Sequence, residues 1–175
     1  MNAEITVIGG GLAGSEAAYY LAKRGRKVRL VDIKPKSFSP AHKSGNYGEL
    51  VCSNSLKSND VYGNACGTLK EEMRILGSMI IACADATRVP AGAALAVDRD
   101  AFSALITKKL RKTGNIEFVC EEITDVDLDG NVIIATGPLT TPRLCEFIKK
   151  ITGDGFYFYD AAAPIISGDS IDMSE

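Results

Sequence analysis

An α/β fold built on a parallel sheet is predicted by three features of the chain. An apolar strand runs into a glycine turn and an Ala-rich helix, a second apolar strand ends in an acid, and a third ends in Ala-Thr-Gly. The first is Ile5-Thr-Val-Ile-Gly-Gly-Gly-Leu-Ala-Gly14, with Gly9, Gly11 and Gly14 at G-x-G-x-x-G spacing. Gly9 permits the tight turn, Gly11 lets backbone approach a pyrophosphate, and Gly14 lets the helix pack closely on the strand. Gly10, Leu12 and Ala13 complete the loop, and the helix start offers unpaired N–H groups and a positive dipole end to phosphates. The second feature, Lys27-Val-Arg-Leu-Val-Asp32, ends in Asp32, twenty-three positions after Gly9. A carboxylate there accepts from ribose hydroxyls. Alone it would be an ordinary acid closing a strand; in register with strand, turn and helix it favours a Rossmann-like FAD/NAD(P)-binding domain. Either FAD or NAD satisfies this much.

The helix after the turn places Gly14, Ala17, Ala18 and Leu21 on one face and ends near Gly25. The β-α-β unit predicts parallel strands joined by a right-handed crossover. From residue 35 to 67 periodicity fades into Ser, Asn, Gly and Lys, a segment expected to be irregular and to carry function. Within it Glu49-Leu-Val-Cys-Ser-Asn-Ser55 reads as an ordered piece. Helical spacing returns with Leu69, Met73, Leu76 and Ile80, interrupted by Gly77. Arg88 to Gly92 reads as a turn and Ala93 to Val97 as a short strand. Asp98 is a good N-cap for a helix whose buried stripe is Phe102, Leu105, Ile106 and Leu110. Ile116 to Cys120 reads as a third parallel strand. Ile123 to Leu128, Asp129-Gly130 and Asn131 to Ala135 predict a hairpin, making a β-meander in place of a crossover helix. Thr141-Pro142 starts a helix with Leu144, Phe147, Ile148 and Ile151 inward. Phe156 to Tyr159 and Asp160 to Pro164 close the last third.

Bulk properties narrow the function classes. A net charge of −2 argues against wholesale electrostatic binding of nucleic acid, leaving local basic patches. No apolar run reaches the roughly 18 residues of a membrane span, so no membrane partner is expected. Five cysteines without a C-x-x-C pair suit a reducing, cytoplasmic setting rather than a disulfide framework. A single histidine, His42, makes a zinc site improbable, and no metal is expected.

The hairpin and the strand Val132-Ile-Ile-Ala-Thr-Gly137 favour flavin over nicotinamide, since small residues at Thr136 and Gly137 let the strand end approach the cofactor. Further segments narrow the match. Glu49 to Ser58, Leu69 to Arg74, Val89 to Arg99, Ala135 to Thr140, Phe158 to Pro164 and Asp169 to Met173 together resemble the folate- and FAD-dependent tRNA (uracil-5-)-methyltransferases, the TrmFO family, related to the GidA tRNA-modification proteins. The resemblance covers essentially the whole chain in order. It implies a reductive methylation: methylenetetrahydrofolate donates one carbon, FAD carries it and supplies reducing equivalents, and NAD(P)H re-reduces the flavin. It implies C5 of a T-loop uridine in tRNA as acceptor, with ribosomal RNA left open.

C5 of uracil is a poor nucleophile until a group adds to C6 or polarises the ring, and its proton must later leave. A thiolate suits the first task and a positioned acid or base the second. Cys52 lies in the segment that the family uses catalytically, and the resemblance assigns it one of these roles; without that segment a small buried hydrophobe would be preferred. Ser53, Asn54 and Ser55 either donate to ligand or hydrogen-bond loop backbone. His42 is a second-tier candidate, Arg99 and Asp98 weaker ones, with capping sufficient for Asp98. The clusters Lys23/Arg24/Arg26/Lys27/Arg29 and Lys108/Lys109/Arg111/Lys112 are candidate RNA contacts, read first as solvated faces. Family members continue well beyond residue 175, so residues 1–175 are expected to be the N-terminal part of an FAD-binding domain, inactive alone. Other readings are a non-catalytic nucleotide-binding module and an NAD(P)H oxidoreductase.

Overall fold

The computed structural model describes residues 4–127 and 129–153. Its first sheet holds four parallel strands in the order β6-β2-β1-β7: β1 (Ile5–Ile8), β2 (Val28–Asp32), β6 (Ile116–Cys120) and β7 (Asn131–Ile134). β1 pairs with β2 from Ile5↔Val28 to Ile8↔Val31 and with β7 from Ile5↔Asn131 to Ile8↔Ile134. A second sheet, β3-β5-β4, is antiparallel and built from β3 (Ser55–Ser58), β4 (Arg88–Val89) and β5 (Ala94–Val97). Five helices complete the described fold: α1 (Leu12–Lys23), α2 (Ala65–Ile75), α3 (Met79–Ala86), α4 (Arg99–Arg111) and α5 (Pro142–Thr152).

The core lies between the parallel sheet and α1, α3 and α4. Val7, Val28 and Leu30 meet Leu95, Val97, Phe102, Ile106 and Leu110 there, with Met79 and Cys83 between. The expected helix after Asp98 forms as read: Asp98 Oδ1 accepts from the backbone N–H of Asp100 at 3.1 Å and Ala101 at 3.0 Å, closing orphan donors of the first turn. α5 buries Leu144 and Ile148 against Ile8 in a smaller cluster, while Ile151 stays 47% exposed rather than turning inward.

Further expectations are corrected. The hairpin and its β-meander do not form: residues 121–127 carry no strand, and β7 pairs in parallel with β1. Asp127 instead folds the chain on itself, its Oδ1 accepting from Asp129 N at 3.0 Å, and Ile123 and Val126 pack into the Ile8–Leu144 cluster. Their apolarity serves packing, not pairing. The helical spacing through Leu69, Met73, Leu76 and Ile80 belongs to two helices. Gly77, at φ 76°, ends α2, and Ser78 caps α3 by accepting from Ile81 N at 3.2 Å. The change of axis leaves Leu69 56% and Leu76 81% exposed, while Lys70 is buried, donating to the carbonyls of Ser58 and Cys66. Within 35–67, expected to hold little regular structure, β3 forms and α2 begins at Ala65 under an Asn64 cap. Phe156 to Tyr159, Asp160 to Pro164 and Asp169 to Met173 lie outside the described residues.

One ion pair ties α2 to α3. Arg74 Nε and Nη2 donate to the two carboxylate oxygens of Asp85, each at 2.8 Å. The Arg74 hydrogen bond holds the Asp85 carboxyl below its ordinary 3.8. Because the folded-state value is depressed, this stabilisation is complete above about pH 4 and is lost as pH falls through the lowered value. A half-exposed pair of this kind contributes up to about 1 kcal/mol, or roughly 2–4 °C in a domain of this size. Asp85→Asn is expected to lower Tm by that amount at pH 7 and by nothing at the acid end of a Tm series.

Candidate functional site

The parallel strands all end on one side, and β1 lies where the chain order reverses, with β2 and β6 to one side and β7 to the other. Ligands of open α/β sheets bind at such switch points, outside the carboxyl ends of the strands. Here the loops after β1, β2 and β7 surround a cavity of about 680 Å³, lined by Gly9 to Ala13, Asp32, Cys52, Thr136 and Gly137 among others.

Gly9 and Gly14 meet the steric demands that the spacing predicts. Gly9 sits at φ 101°, and a Cβ there would lie 2.6 Å from the Ala135 carbonyl oxygen. A Cβ on Gly14 would lie 1.8 Å from the Gly9 oxygen, so Gly14 brings α1 onto the turn and does not itself line the cavity. Gly10 is crowded by the Tyr47 ring and by Asp32 Oδ2. Gly11 has nothing within 4 Å of its Cβ position, which leaves open space for a ligand's approach. It is also the N-cap of α1 and brings no side chain to the first N–H groups.

Asp32 turns toward this loop. Its Oδ2 accepts from Gly10 N at 2.6 Å and its Oδ1 from Lys34 N at 2.9 Å. Each oxygen keeps acceptor capacity for a hydroxyl. Beneath it the segment after β2 is tightly organised. Lys34, 3% exposed, donates to the Asn46 carbonyl and lies 3.9 Å from Glu49 Oε2. Burial pushes the Lys34 ammonium down in pKa, opposed by Asp32 and Glu49. Glu49 Oε1 accepts from the backbone N–H groups of Lys43 at 2.9 Å and Ser44 at 3.2 Å. Gly48 N donates to the Gly10 carbonyl at 2.8 Å, and Tyr47 N to Thr107 Oγ1 at 2.9 Å. The segment is thus stapled to both the glycine loop and α4.

That staple delivers Cys52, which is exposed and lines the cavity. Arg99 does not line it; its Nη2 donates to the Leu50 carbonyl at 2.5 Å and so positions the Cys52 segment. Ser53 and Ser55 line the cavity, but their hydroxyls engage neighbouring backbone, Ser53 Oγ accepting from Ser55 N at 3.2 Å. Asn54 is not a lining residue; its carbonyl accepts from Val97 N. His42 does line it, with Nδ1 2.7 Å from Ser39 Oγ. Burial, then Lys34, holds its imidazole below the ordinary 6.5, so it is neutral at pH 7. Of the other cysteines Cys83 is buried in the core, and Cys66, Cys120 and Cys145 are half-buried.

Four lining or supporting residues escaped the sequence reading: Lys34, Tyr47, Glu49 as a structural acceptor, and Thr141. Thr141 Oγ1 is buried at the cavity wall and, among the described residues, has no hydrogen-bond partner. A buried hydroxyl of this kind calls for a partner. The two basic clusters begin in the last turns of α1 and α4, and none of their residues lines the cavity. Arg24 there stacks on Tyr20 and Arg29 pairs with Glu121 at 2.8 Å.

Residues 4–175 match the family described as glucose inhibited division protein A. A methylenetetrahydrofolate--tRNA-(uracil-5-)-methyltransferase TrmFO of Fusobacterium nucleatum is 57% identical over 176 residues, covering 100% of this chain and 40% of the relative. The TrmFO of Syntrophus aciditrophicus is 57% identical over 175 residues, covering 99% and 40%. The chain therefore spans about two fifths of the length of these curated relatives. Among solved structures, Aquifex aeolicus GidA superposes with a TM-score of 0.59 at 21% identity, over 77% of this chain and 25% of that one, a likeness of fold.

The glycine geometry separates folding from binding. Gly14→Ala should destabilise by more than about 3 kcal/mol, since the clash is with backbone in a packed turn. Gly11→Ala should leave Tm unchanged yet weaken nucleotide binding. Thermal melts beside an ADP titration of both variants check this; a stable Gly14→Ala protein contradicts it.

Proposed function

We propose, for a chain that belongs to the glucose inhibited division protein A family, that it is the dinucleotide-binding portion of a folate- and FAD-dependent RNA (uracil-5-)-methyltransferase. The observation that carries this reading is that Cys52 lines the same cavity as the glycine loop, Asp32 and the Ala135-Thr136-Gly137 strand exit. The names of relatives 57% identical to the chain support the reaction and a tRNA acceptor.

The cavity suits the ADP half of FAD on its own geometry. The space over Gly11 and the first N–H groups of α1 would take the pyrophosphate. Asp32, already oriented by Gly10 and Lys34, would accept from the ribose hydroxyls. Thr136 and Gly137 would border the flavin end, and the unpartnered Thr141 hydroxyl offers a hydrogen bond in the same wall. When bound, FAD supplies the reducing equivalents for turning a folate-derived one-carbon unit into a methyl group, with NAD(P)H as the source of electrons.

The chain's own contribution to the chemistry is the Cys52 thiol. Its exposure at the cavity wall suits addition to the pyrimidine ring or movement of the C5 proton. His42, neutral and held by Ser39, borders the same space as a hydrogen-bonding group rather than a cation. We assign tRNA contact to the longer protein, because none of the residues of the basic clusters lines the cavity. Five cysteines without a disulfide support a cytoplasmic setting.

Formation of 5-methyluridine in tRNA by the longer protein that carries this chain, assayed with and without methylenetetrahydrofolate, tests the reading. Cys52→Ala is expected to lower it about 100-fold or more while FAD stays bound. Full methylation by that variant would overturn the role of Cys52. NAD(P)H turnover indifferent to folate and RNA would overturn the methyltransferase reading.

A further inference from the structure

We propose that Lys57 is a further dinucleotide-binding residue, one that sets its ammonium against the pyrophosphate at the start of α1. The assignment rests on the dinucleotide reading above. The backbone singles the residue out: among the described residues, Lys57 is the non-glycine residue at positive φ, 66°. A side chain with a Cβ is disfavoured there, and such outliers persist where the surroundings enforce them. The enforcement is visible. The β3–β5 pairing loses register between Ser55 and Ser58, and Lys57 N is held by Ser55 Oγ at 3.0 Å. Irregularities of this kind turn a side chain out of the strand's alternation.

What the turn accomplishes follows from the neighbouring space. Beside the dinucleotide cavity runs an apolar groove of about 750 Å³ between α1 and α2, and the residues lining both are Leu12, Ala13 and Lys57. Leu12 and Ala13 are the first two residues of α1, whose amide groups have no side-chain cap. Lys57 and the positive end of a helix dipole therefore border the same space, an arrangement that favours an anion there. Nearby carboxylates are engaged elsewhere. Glu16 accepts from Ser78 Oγ, Met79 N and Ile80 N at 2.7–2.9 Å, and Asp32 from Gly10 and Lys34. No carboxylate among the described residues pairs with the Lys57 ammonium. A pyrophosphate meets the charge, the helix end and the open space over Gly11 at once.

The test compares ligands with and without phosphates. FAD, ADP and adenosine are titrated into the purified protein and into Lys57→Ala, Lys57→Arg and Lys57→Gly, adenosine by competition with FAD. Loss of a charge-assisted hydrogen bond predicts that Lys57→Ala binds ADP and FAD about 10-fold or more weakly, with adenosine unchanged. Lys57→Arg should recover most of the affinity. Lys57→Gly should melt higher than the parent, its backbone relieved, yet bind ADP as weakly as Lys57→Ala. A purely structural lysine would not divide stability from affinity in this way. Equal losses for adenosine and ADP, or none for ADP, overturn the assignment alone. A parent protein that binds none of the three ligands overturns the dinucleotide reading and this assignment together.

Discussion

The approach of α1 to the turn after β1 is the constraint on which the rest depends. With a glycine at 14 the helix comes down until a Cβ would overlap the Gly9 carbonyl, and with a glycine at 9 the turn presses against Ala135. The end of β1 and the adjacent start of α1 thereby share one point with the exit of β7, which is distant in sequence. Everything that lines the cavity takes its position from that convergence. The helix end can face a phosphate because no side chain stands between.

The segment after β2 shows how a stretch without periodicity becomes ordered. Its organisation comes from polar groups satisfied one by one: Glu49 gathers two amide donors, Lys34 reaches the Asn46 carbonyl, and Gly48 donates to Gly10. Tyr47 closes the underside, its ring 5.4 Å from that of Phe118, and burial followed by Asp32 pushes its phenol up in pKa. Such a segment can hold a thiol at a fixed place without helix or strand. The cost is a buried lysine and a largely buried glutamate 3.9 Å apart, sustained because each is hydrogen-bonded to backbone groups. Cys52 is thus carried by a polar scaffold and exposed where an apolar environment would have hidden it.

Around α2 the logic differs. This helix is attached through Lys70, Arg74 and the close contact of Gly67 with the Asp60 backbone, not through an apolar stripe. Leu69, Ile75 and Leu76 consequently face outward, and Ile133 of β7 borders the groove beside it. Polar anchoring leaves the apolar side chains outside the core, the reverse of what spacing in a helix ordinarily signals.

Legible in the sequence were the β-α-β unit, the steric demands at Gly9 and Gly14, Asp32 at the end of β2, the Asp98 cap and the third parallel strand, because each depends on residues close in the chain with fixed stereochemical demands. It also brought Cys52 forward, through a segment rather than through chemistry. Only the tertiary structure decided that Ile123 and Val126 pack instead of pairing, that Gly77 splits one helical pattern into two helices, and that Arg99 supports the Cys52 segment from behind. It alone set Lys57 at positive φ and left Thr141 without a partner, among the described residues, in the cavity wall. Apart from the local break at Gly77, these outcomes rest on contacts between residues tens of positions apart, where local propensity is silent.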